Sequence, residues 1–556
     1  MMISRFPYLA VCKMSKIRDY CIYYLFICLK YSCFLFLSAF PLADSCFAQL
    51  EAPIIPEPQP VPFPLAPEIP QPLPTPAPAP NTPLEIPSTS PPTSEQPPNI
   101  PGEIIIKQFQ FKGNTVFSDQ VLMAITESYL NRPITFTELL AVESAITEKY
   151  TEAGYINSGA VIPAGQSLTA DAAIVTIEIV EGALEAIEVT IDGRLRSDYV
   201  RSRLAIATEK PLNQQRLLEA LQLLQLNPLI DTITAELSAG SRPELAVLTV
   251  KVTEADTFFI EAFADNGRVE SIGSFERGIR LNQLNLLGVG DGLSIEYANT
   301  DGSNAVYSDY TVPINPYNGT VKFSSRLNLT QVIEPPFDQL DITGDSLYLD
   351  LTLRQPLIQT PSEEFAVGIT GSRAQSKTTL LGEGFPLSPG ANDEGETRIW
   401  ALRLFQEWTQ RGAQDVLSLR SQFSFGLDAF DASINETPPD GSFFEWQGQG
   451  QYVRSLAPDT LLVLRTSVQL ANQPLLSLEQ FTLGGLFSVR GYRQNLLLTD
   501  NGVFASAEVR LPILSVDEVG GLLQIVPFVD FGVGWNHQDN LIPTPNPNTL
   551  VSVGLG

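Results

Sequence analysis

The stretch Leu483-Gly484-Gly485-Leu486-Phe487-Ser488-Val489-Arg490-Gly491-Tyr492 lies in a long polar interruption between two segments of alternating polarity. Its arginine, Arg490, needs an acidic partner if it is to be buried. Further along the chain, the run Gln524-Ile525-Val526-Pro527-Phe528-Val529-Asp530-Phe531-Gly532-Val533-Gly534-Trp535 contains one acid, Asp530. The pattern around this acid decides which fold the chain is predicted to adopt.

The two faces of the run 524–535 differ, which indicates a membrane-spanning strand. Side chains alternate across a strand, so one face carries Gln524, Val526, Phe528, Asp530, Gly532 and Gly534. The other face, from Leu523 to Trp535 at every second residue, is apolar throughout. An acid beside glycines on one face and apolar side chains on the other is typical of a barrel with a polar lumen. We therefore predict that Arg490 and Asp530 form an ion pair inside a barrel, where Gly532 and Gly534 leave space for the loop.

Composition narrows the possible functions. The 556 residues are enough for several domains, and a formal net charge of -28 disfavours nucleic acid or anionic headgroups as main partners. The mean hydropathy of +0.06 is compatible with strands that alternate in polarity. The single histidine, His537, excludes a His-ligated metal cluster. We expect no cofactor and no metal site.

Residues 1–48 are predicted to be a secretory signal peptide, because basic residues precede a short apolar core and small residues follow it. A membrane anchor is disfavoured because Lys30 interrupts the apolar run, leaving fewer than the ~20 residues that a spanning helix needs. Lipid attachment at Cys46 is an alternative that Asp44 disfavours. All five cysteines precede residue 47: Cys12, Cys21, Cys28, Cys33 and Cys46.

Residues 49–102 are predicted to be a proline-rich periplasmic linker. Between residues 51 and 100 the sequence has 19 of the 44 prolines, a density that disfavours both helix and sheet. Polyproline geometry at ~3.1 Å per residue would let the linker reach on the order of 150 Å.

Residues 103–182 and 183–255 are predicted to be two copies of a small βααββ domain. The turn residues Gly113, Asn114 and Gly193 follow the first strand of each copy. The predicted helices run from a Ser118 cap to Leu130, from about Thr137 to Ala153, from a Ser197 cap to Ala207 and from Asn213 to about Leu226. The predicted strands are Ile104 to Phe111, Tyr155 to Ile162, Ala173 to Val180, Glu185 to Ile191, Asp231 to Leu237 and Leu245 to Val252. Such domains leave a strand edge to which an extended peptide can add, which favours peptide capture over a purely structural spacer.

Residues 256–556 alternate in polarity without helical periodicity, which predicts a membrane β-barrel. Leucines 347, 349, 351 and 353, for example, face away from Tyr348, Asp350, Thr352 and Arg354. A soluble sandwich would not hold so many charged residues on its inner face. Roughly fourteen such runs begin near residues 257, 275, 291, 306, 319, 346, 364, 397, 414, 443, 459, 502, 522 and 549.

The loop of residues 472–501 connects the eleventh and twelfth of these strands. It is extracellular if the N-terminal domains are periplasmic. Each half of the loop, at ~3.3 Å per residue, exceeds the ~25 Å apolar band. The loop is therefore long enough to fold inward and bring Arg490 to Asp530.

With these motifs, the chain resembles the TpsB family of two-partner secretion transporters, the haemolysin secretion and activation proteins of the FhaC and ShlB kind. The resemblance rests on the loop motif Val489-Arg490-Gly491-Tyr492 and on the strand motif Phe528-Val529-Asp530-Phe531-Gly532. It also rests on two POTRA domains ahead of the barrel, the second with Leu226-Asn227-Pro228 and Gly240-Ser241-Arg242-Pro243.

The resemblance implies a sixteen-stranded pore in the outer membrane of a diderm bacterium, with its POTRA domains in the periplasm. Such a protein recognises a secreted, β-helical TpsA-like exoprotein and exports it unfolded without ATP. The loop arginine of the family meets the strand aspartate in the lumen, a role that maps onto Arg490 and Asp530. Outer-membrane lipid and the outer-membrane assembly machinery are the other implied partners, and no catalytic residue is implied.

Two features depart from the family pattern. The family's final strands and closing aromatic residue are absent, so the barrel is expected to be C-terminally incomplete. The proline-rich segment also lacks the pattern of the helix that plugs the pore in some members.

Three other functions fit the sequence less well. An outer-membrane assembly insertase of the same superfamily shares the barrel motifs but usually has more POTRA domains. A passive porin needs neither POTRA domains nor a linker. An enzyme in the lumen would depend on His537, outside the apolar band, so we expect none. Whether the Arg490–Asp530 pair is a latch or only completes barrel assembly stays open from sequence.

Overall fold

A computed structural model describes residues 84–85, 103–166, 173–516 and 521–556 of the protein. The predicted signal peptide and most of the proline-rich linker lie outside the described residues. No helix in the described ranges is long and apolar enough to cross a membrane. The first described element is a two-residue strand, β1 (Leu84–Glu85).

The first βααββ domain packs two helices on a four-stranded sheet. Its elements are β2 (Ile104–Lys112), α1 (Asp119–Thr126), β3 (Pro133–Ile134), α2 (Phe136–Glu152), β4 (Gly159–Val161) and β5 (Ala173–Val180), and the strand order is β3-β2-β5-β4. Helix α2 begins with a capping box in which Thr135 and Glu138 each accept a hydrogen bond from the other's backbone N–H. It buries Leu139, Val142, Ile146 and Tyr150, which recur every three or four residues on one face.

Helix α1 is shorter than predicted. Its α-helical geometry stops at Thr126 instead of continuing to Leu130, and a 3₁₀ turn, Glu127–Tyr129, follows. The Thr126 hydroxyl donates to the carbonyls of Leu122 and Met123, a back-bond that weakens the helical continuation.

The second domain repeats this arrangement with β6 (Ala183–Asp192), α3 (Ser197–Ala207), α4 (Gln214–Gln225), β7 (Ile230–Ala239) and β8 (Leu245–Glu254). Asn213 caps α4 by accepting from the backbone N–H groups of Gln215 and Arg216. Ser197 is not the cap of α3 but its first residue. The N-cap is Arg196, whose backbone N–H donates to the Gly288 carbonyl at 2.8 Å, so a turn of the barrel fixes this helix start.

The prediction that the proline-rich segment contains no strand is wrong at β1. Leu84 and Glu85 pair in parallel with Ala235 and Glu236 of β7, which gives the second sheet the order β1-β7-β8-β6. Pro83 and Pro87 bracket this short proline-free stretch, so its backbone N–H groups remain available for pairing.

A glutamate at the end of the last strand fixes the glycine turn in each domain. In the first domain Glu181 accepts from Thr115 N at 2.6 Å, from Val116 N at 3.0 Å and from the Tyr150 hydroxyl at 3.1 Å. In the second domain Glu254 accepts from Leu195 N at 2.9 Å. The two acids occupy matching positions in the duplicated sequence.

The Glu181 network is predicted to make the first domain sensitive to acid. Burial raises the pKa of the Glu181 carboxyl, but hydrogen bonds from Thr115, Val116 and Tyr150 outweigh burial and leave this pKa below its ordinary value. A carboxyl with a lowered folded pKa stabilises the fold above its unfolded pKa and loses that contribution as pH falls through the folded value. Glu181→Gln should therefore destabilise the domain by about 1.5–3 kcal/mol at neutral pH, and by less in acid.

Hydrogen exchange of the β5 amides in the full-length protein, corrected for intrinsic rates, measures this effect. Glu178→Gln, an exposed position on the same strand, is the matched control and should change protection little. Equal losses of protection in both variants, or a loss independent of pH, would contradict the assignment.

The barrel sheet is an antiparallel meander of fourteen strands, which confirms the fourteen predicted runs. They are β9 (Phe258–Asp265), β10 (Glu276–Gln283), β11 (Gly292–Thr300), β12 (Ser303–Pro313), β13 (Thr320–Gln331), β14 (Thr343–Gln359), β15 (Glu363–Leu380), β17 (Glu396–Arg411), β18 (Asp415–Gly426), β19 (Phe444–Ala457), β20 (Thr460–Ala471), β23 (Asn501–Val516), β25 (Pro527–Trp535) and β26 (Thr549–Leu555). Four short strands accompany them: β16 (Glu383–Gly384), β21 (Phe481–Leu483), β22 (Leu497–Thr499) and β24 (Gly521–Ile525). The alternation is as predicted, since Leu351 and Leu353 are exposed on the outer face.

The second domain is hydrogen-bonded to two turns on one rim of the barrel. Arg194 donates to the Leu286 carbonyl at 2.6 Å, and Arg203 donates to Asn318 at 2.7 Å. The side chain of Asn285 donates to Glu254 at 2.7 Å. The βααββ domains therefore lie at the rim opposite the 472–500 connection.

The loop inside the barrel and its contacts with the wall

Residues 472–500, which we call the inward loop, connect β20 to β23 and contain more structure than the sequence indicates. A 3₁₀ turn, Ser477–Glu479, precedes a hairpin in which β21 pairs with β22. The Gly-rich motif lies at the end of this hairpin. Gly484, Gly485 and Gly491 have φ angles of 106°, 97° and 89°, which glycine adopts without strain.

An apolar cluster seats the hairpin on the wall formed by β23, β25 and β26. Leu483, Val489 and Leu497 from the loop pack with Phe504 of β23 and Leu550 of β26. Leu483 and Val489 are completely buried. The loop is therefore packed against this wall as well as paired with it.

The glycines of β25 make room for the loop. A Cβ atom at Gly532 would lie 2.8 Å from side-chain carbons of both Leu483 and Val489. A Cβ atom at Gly534 would lie 2.5 Å from the Thr499 hydroxyl. Carbon atoms do not approach this closely, so both positions require glycine while the loop is seated.

Arg490 and Asp530 form a bidentate ion pair. Arg490 Nε donates to Asp530 Oδ2 at 2.7 Å, and Nη2 donates to Oδ1 at 2.7 Å. The backbone N–H of Arg490 donates to the same carboxylate at 3.1 Å. Asp530 is 0% exposed. Two parallel charge-assisted hydrogen bonds in a buried setting fix both the position and the orientation of the arginine.

A second acid, Glu508, and the hydroxyl of Ser506 complete the site together with Phe528 of the strand motif; sequence analysis missed the acid and the serine. Arg490 Nη1 donates to Glu508 at 2.8 Å, Nη2 donates to the Ser506 hydroxyl at 3.1 Å, and the guanidinium lies 3.6 Å from the centroid of the Phe528 ring. Ser506 and Glu508 alternate with apolar residues on β23, and Ser506 pairs in register with Asp530. That alternation is a signal that would have assigned both residues to the lumen.

The remaining motif residues shape the loop. The Tyr492 hydroxyl donates to the Val551 carbonyl of β26 at 3.0 Å. Gly491 and the buried Val489 flank the arginine on either side. The loop motif thus supplies one charged contact, one apolar contact and one hydrogen bond to the wall.

The turn residues of the two small domains have a structural role. Gly113 and Gly193 have φ angles of 87° and 145°, and Asn114 donates to the Phe117 carbonyl at 2.9 Å. His537 lies after β25, where its backbone N–H donates to Asp500. Within the described ranges, no group of three or more His, Cys, Asp or Glu residues is placed to hold a metal ion.

Comparison with known proteins identifies the family. The model of the haemolysin secretion/activation protein family ShlB/FhaC/HecB matches residues 245–556, more than half of the chain. The chain belongs to this family. The ShlB-type POTRA domain matches residues 104–182, the first βααββ domain.

Curated relatives of this ShlB/FhaC/HecB protein are transporters. The outer membrane transporter CdiB of Dickeya dadantii is 23% identical over 455 residues, covering 78% of this chain and 77% of the relative. The heme/hemopexin transporter protein HuxB of Haemophilus influenzae is 22% identical over 479 residues, covering 81% and 80%.

Solved structures agree on the fold. CdiB from Escherichia coli aligns with a TM-score of 0.61 at 19% identity, covering 84% of this chain and 85% of that chain. CdiB from Acinetobacter baumannii aligns with a TM-score of 0.56 at 17% identity, covering 82% and 84%. This ShlB/FhaC/HecB protein is therefore a transporter of the outer membrane with periplasmic POTRA domains, from a family whose members work with secreted TpsA exoproteins and are not enzymes.

Proposed function

We propose that this transporter binds a secreted exoprotein at its POTRA domains and exports it unfolded through the barrel lumen. The inward loop holds a defined position in the lumen during this passage. The observation that supports the recognition step is β1. A segment of extended chain already adds to the edge strand β7 of the second POTRA domain. An edge that accepts one extended segment offers the same backbone hydrogen bonds to another.

The β7 edge is suited to an extended partner of low sequence specificity. Leu84 and Glu85 pair there in parallel register with Ala235 and Glu236. Glu236 is exposed on this edge strand, whereas Ala235 is buried in the domain core. Because main-chain hydrogen bonds provide the affinity, an unfolded exoprotein can bind without a pre-formed surface.

The inner face of the barrel is suited to passage of an unfolded chain. Paired positive and negative side chains line this face, including Arg280 with Glu261 and Glu296, and Arg354 with Glu407. A hydrated wall with mixed charges offers an extended polypeptide few apolar contacts to which it would adhere. Export along such a wall needs no tight binding site inside the lumen.

Site-specific crosslinking tests the recognition step. A photo-crosslinking amino acid at Glu236 should capture the exoprotein at least fivefold more efficiently than one at Glu188. Both positions are exposed glutamates on the same sheet: Glu236 lies on β7, beside the two-residue strand β1, and Glu188 lies on the opposite edge strand, β6. Where a large secreted protein is encoded beside this chain, that protein is the exoprotein to test, produced with and without the transporter.

The outcomes of this experiment are distinct. Capture at Glu236, together with appearance of the exoprotein in the medium only when the transporter is present, supports both recognition and export. Equal capture at the two edges would refute recognition at β7. Unchanged secretion without the transporter would refute export.

A further inference from the structure

A second ion pair, on a different part of the wall, holds the first half of the inward loop. Glu479, in the 3₁₀ turn, accepts from Arg403 Nη2 at 2.6 Å and from Nη1 at 3.0 Å. Arg403 lies on β17, and four strands (β18, β19, β20 and β23) separate it from β25, which carries Asp530. The polarity is the reverse of the Arg490 contact, because here the loop supplies the acid and the wall supplies the arginine.

The wall holds Arg403 in position independently of the loop. Arg403 Nε donates to the Ser372 hydroxyl at 3.1 Å, and Nη1 donates to the Ser424 hydroxyl at 2.9 Å. These serines lie on β15 and β18, the strands on either side of β17. The guanidinium is therefore pre-oriented toward the lumen.

A second carboxyl group beside this pair, that of Glu445, makes no short contact with a cation while the loop is seated. Glu445 of β19 is 0% exposed, and its nearest cation is Arg403, at 3.5 Å from Oε1. Its other oxygen, Oε2, is buried and has no hydrogen-bond partner among the described residues. Register places Arg403, Ser424 and Glu445 in one row across β17, β18 and β19. A buried carboxyl group with an unused oxygen next to an arginine requires an explanation, and a role in another state of the protein provides one.

We propose that Glu445 is the reserve partner of Arg403, which takes over the arginine when Glu479 and the first half of the loop leave the wall. Arg403 then passes from one carboxylate to the other and keeps its charge paired in both states. The loop is thus held at a releasable contact, Glu479–Arg403, and at a persistent one, Arg490–Asp530. This inference rests on the proposed export function in one respect only: export would use the released state, in which the lumen beside β17 to β19 is open.

The wall around Arg490 lacks an equivalent reserve, which assigns the persistent role to that contact. If Arg490 left, Glu508 would retain Arg510 at 2.9 Å and Arg465 at 3.4 Å. Among the described residues, however, Asp530 would retain only hydroxyl groups, those of Ser506 at 2.7 Å and Ser552 at 3.5 Å. Release at Arg490 would therefore leave a buried charge without a cation, whereas release at Glu479 would not.

Labelling of a single cysteine measures release without requiring the exoprotein. Leu476 is buried next to Glu479, and all native cysteines precede residue 47, so Leu476→Cys is a reporter of the lifted loop. A membrane-impermeant maleimide is applied to purified transporter in liposomes, and the labelling rate gives the population of the released state. Glu479→Gln should raise this rate at least tenfold.

Glu445→Gln decides the proposal, because a role as reserve partner and a purely structural role predict opposite changes in the labelling rate. Loss of the reserve partner destabilises the released state, so the labelling rate should fall at least fivefold. An unchanged or increased rate in Glu445→Gln, or an unchanged rate in Glu479→Gln, would overturn the proposal.

A shorter acid provides the second variant. Glu445→Asp keeps the carboxyl group, but its shorter side chain reaches less far toward Arg403. It should therefore also lower the labelling rate. A labelling rate equal to that of the parent would overturn the proposal even if Glu445→Gln fails to assemble. Heat-modifiable electrophoretic mobility establishes that each barrel is folded. Because the exoprotein is absent, failure of export in the crosslinking experiment and failure of the reserve-partner exchange are separate results.

Discussion

Reversing the charge of Arg490, as Arg490→Glu, is expected to lower secretion of the exoprotein at least tenfold. The substitution brings a third carboxylate to Asp530 and Glu508, both of which are buried in the wall. Breaking a buried ion pair from one side costs about 3 to 5 kcal/mol because the remaining charge stays in a poorly solvated place. The measurement is the ratio of exoprotein in the medium to exoprotein in the cells.

Arg493→Glu is the matched control within the same loop. Arg493 pairs with Glu270 and Glu334, but its side chain is 53% exposed. Exposed ion pairs contribute about 0–1 kcal/mol, so secretion should change less than twofold. An effect as large as that of Arg490→Glu would show that net loop charge, not the buried contact, controls secretion.

Charge exchange tests whether the contact itself matters, and the structure refines how it should be designed. The double variant Arg490→Asp with Asp530→Arg restores opposite charges, but the aspartate introduced at position 490 still faces Glu508. Recovery should therefore be partial in the double variant and greater when Glu508→Gln is added. If the triple variant secretes no better than the single variants, the pairing loses its support.

The amount of folded transporter in the outer membrane separates two roles for the pair. If the pair only completes assembly, Arg490→Glu should lower the folded transporter as much as it lowers secretion. If the pair positions the loop during export, folded transporter should persist while secretion falls. We favour the positioning role because Arg490 is held by hydrogen bonds, an ion pair and an aromatic ring on two strands, β23 and β25.

The strands and the position of Asp530 on the lumen face are predictable because both follow from period two. Alternation places every second residue on the lumen face, so Asp530 and its glycines were assigned without knowledge of neighbouring strands. The contact between Glu479 and Arg403 was not predictable in this way. These residues are 76 positions apart, and their contact depends on the curvature of the sheet, the strand register and the path of the loop together. Alternation alone specifies none of these three quantities.

Local composition predicts the wrong structure at two short segments. Averaging over the proline-rich linker hid Leu84–Glu85, whose pairing depends on β7, far away in the sequence. The polar character of residues 472–501 likewise hid the β21–β22 hairpin, which Leu483 and Leu497 stabilise only because Phe504 and Leu550 cover them. In both places tertiary packing overrides the local signal.

Gly532→Val should prevent seating of the inward loop and lower secretion at least tenfold, because even the first added carbon would lie 2.8 Å from Leu483 and from Val489. Either β25 or the loop must then move, and movement of either breaks the Arg490–Asp530 geometry. Gly371→Val is the control: this glycine lies on the exposed face of β15 with no atom within 4 Å of its added Cβ, and valine suits a strand. The same secretion ratio is measured for both variants, with Leu483→Ala added to Gly532→Val as a suppressor that removes one of the two clashes. Partial recovery in that double variant would assign the defect to seating of the loop, whereas no recovery, or equal loss in Gly371→Val, would show that valine harms the barrel in some other way.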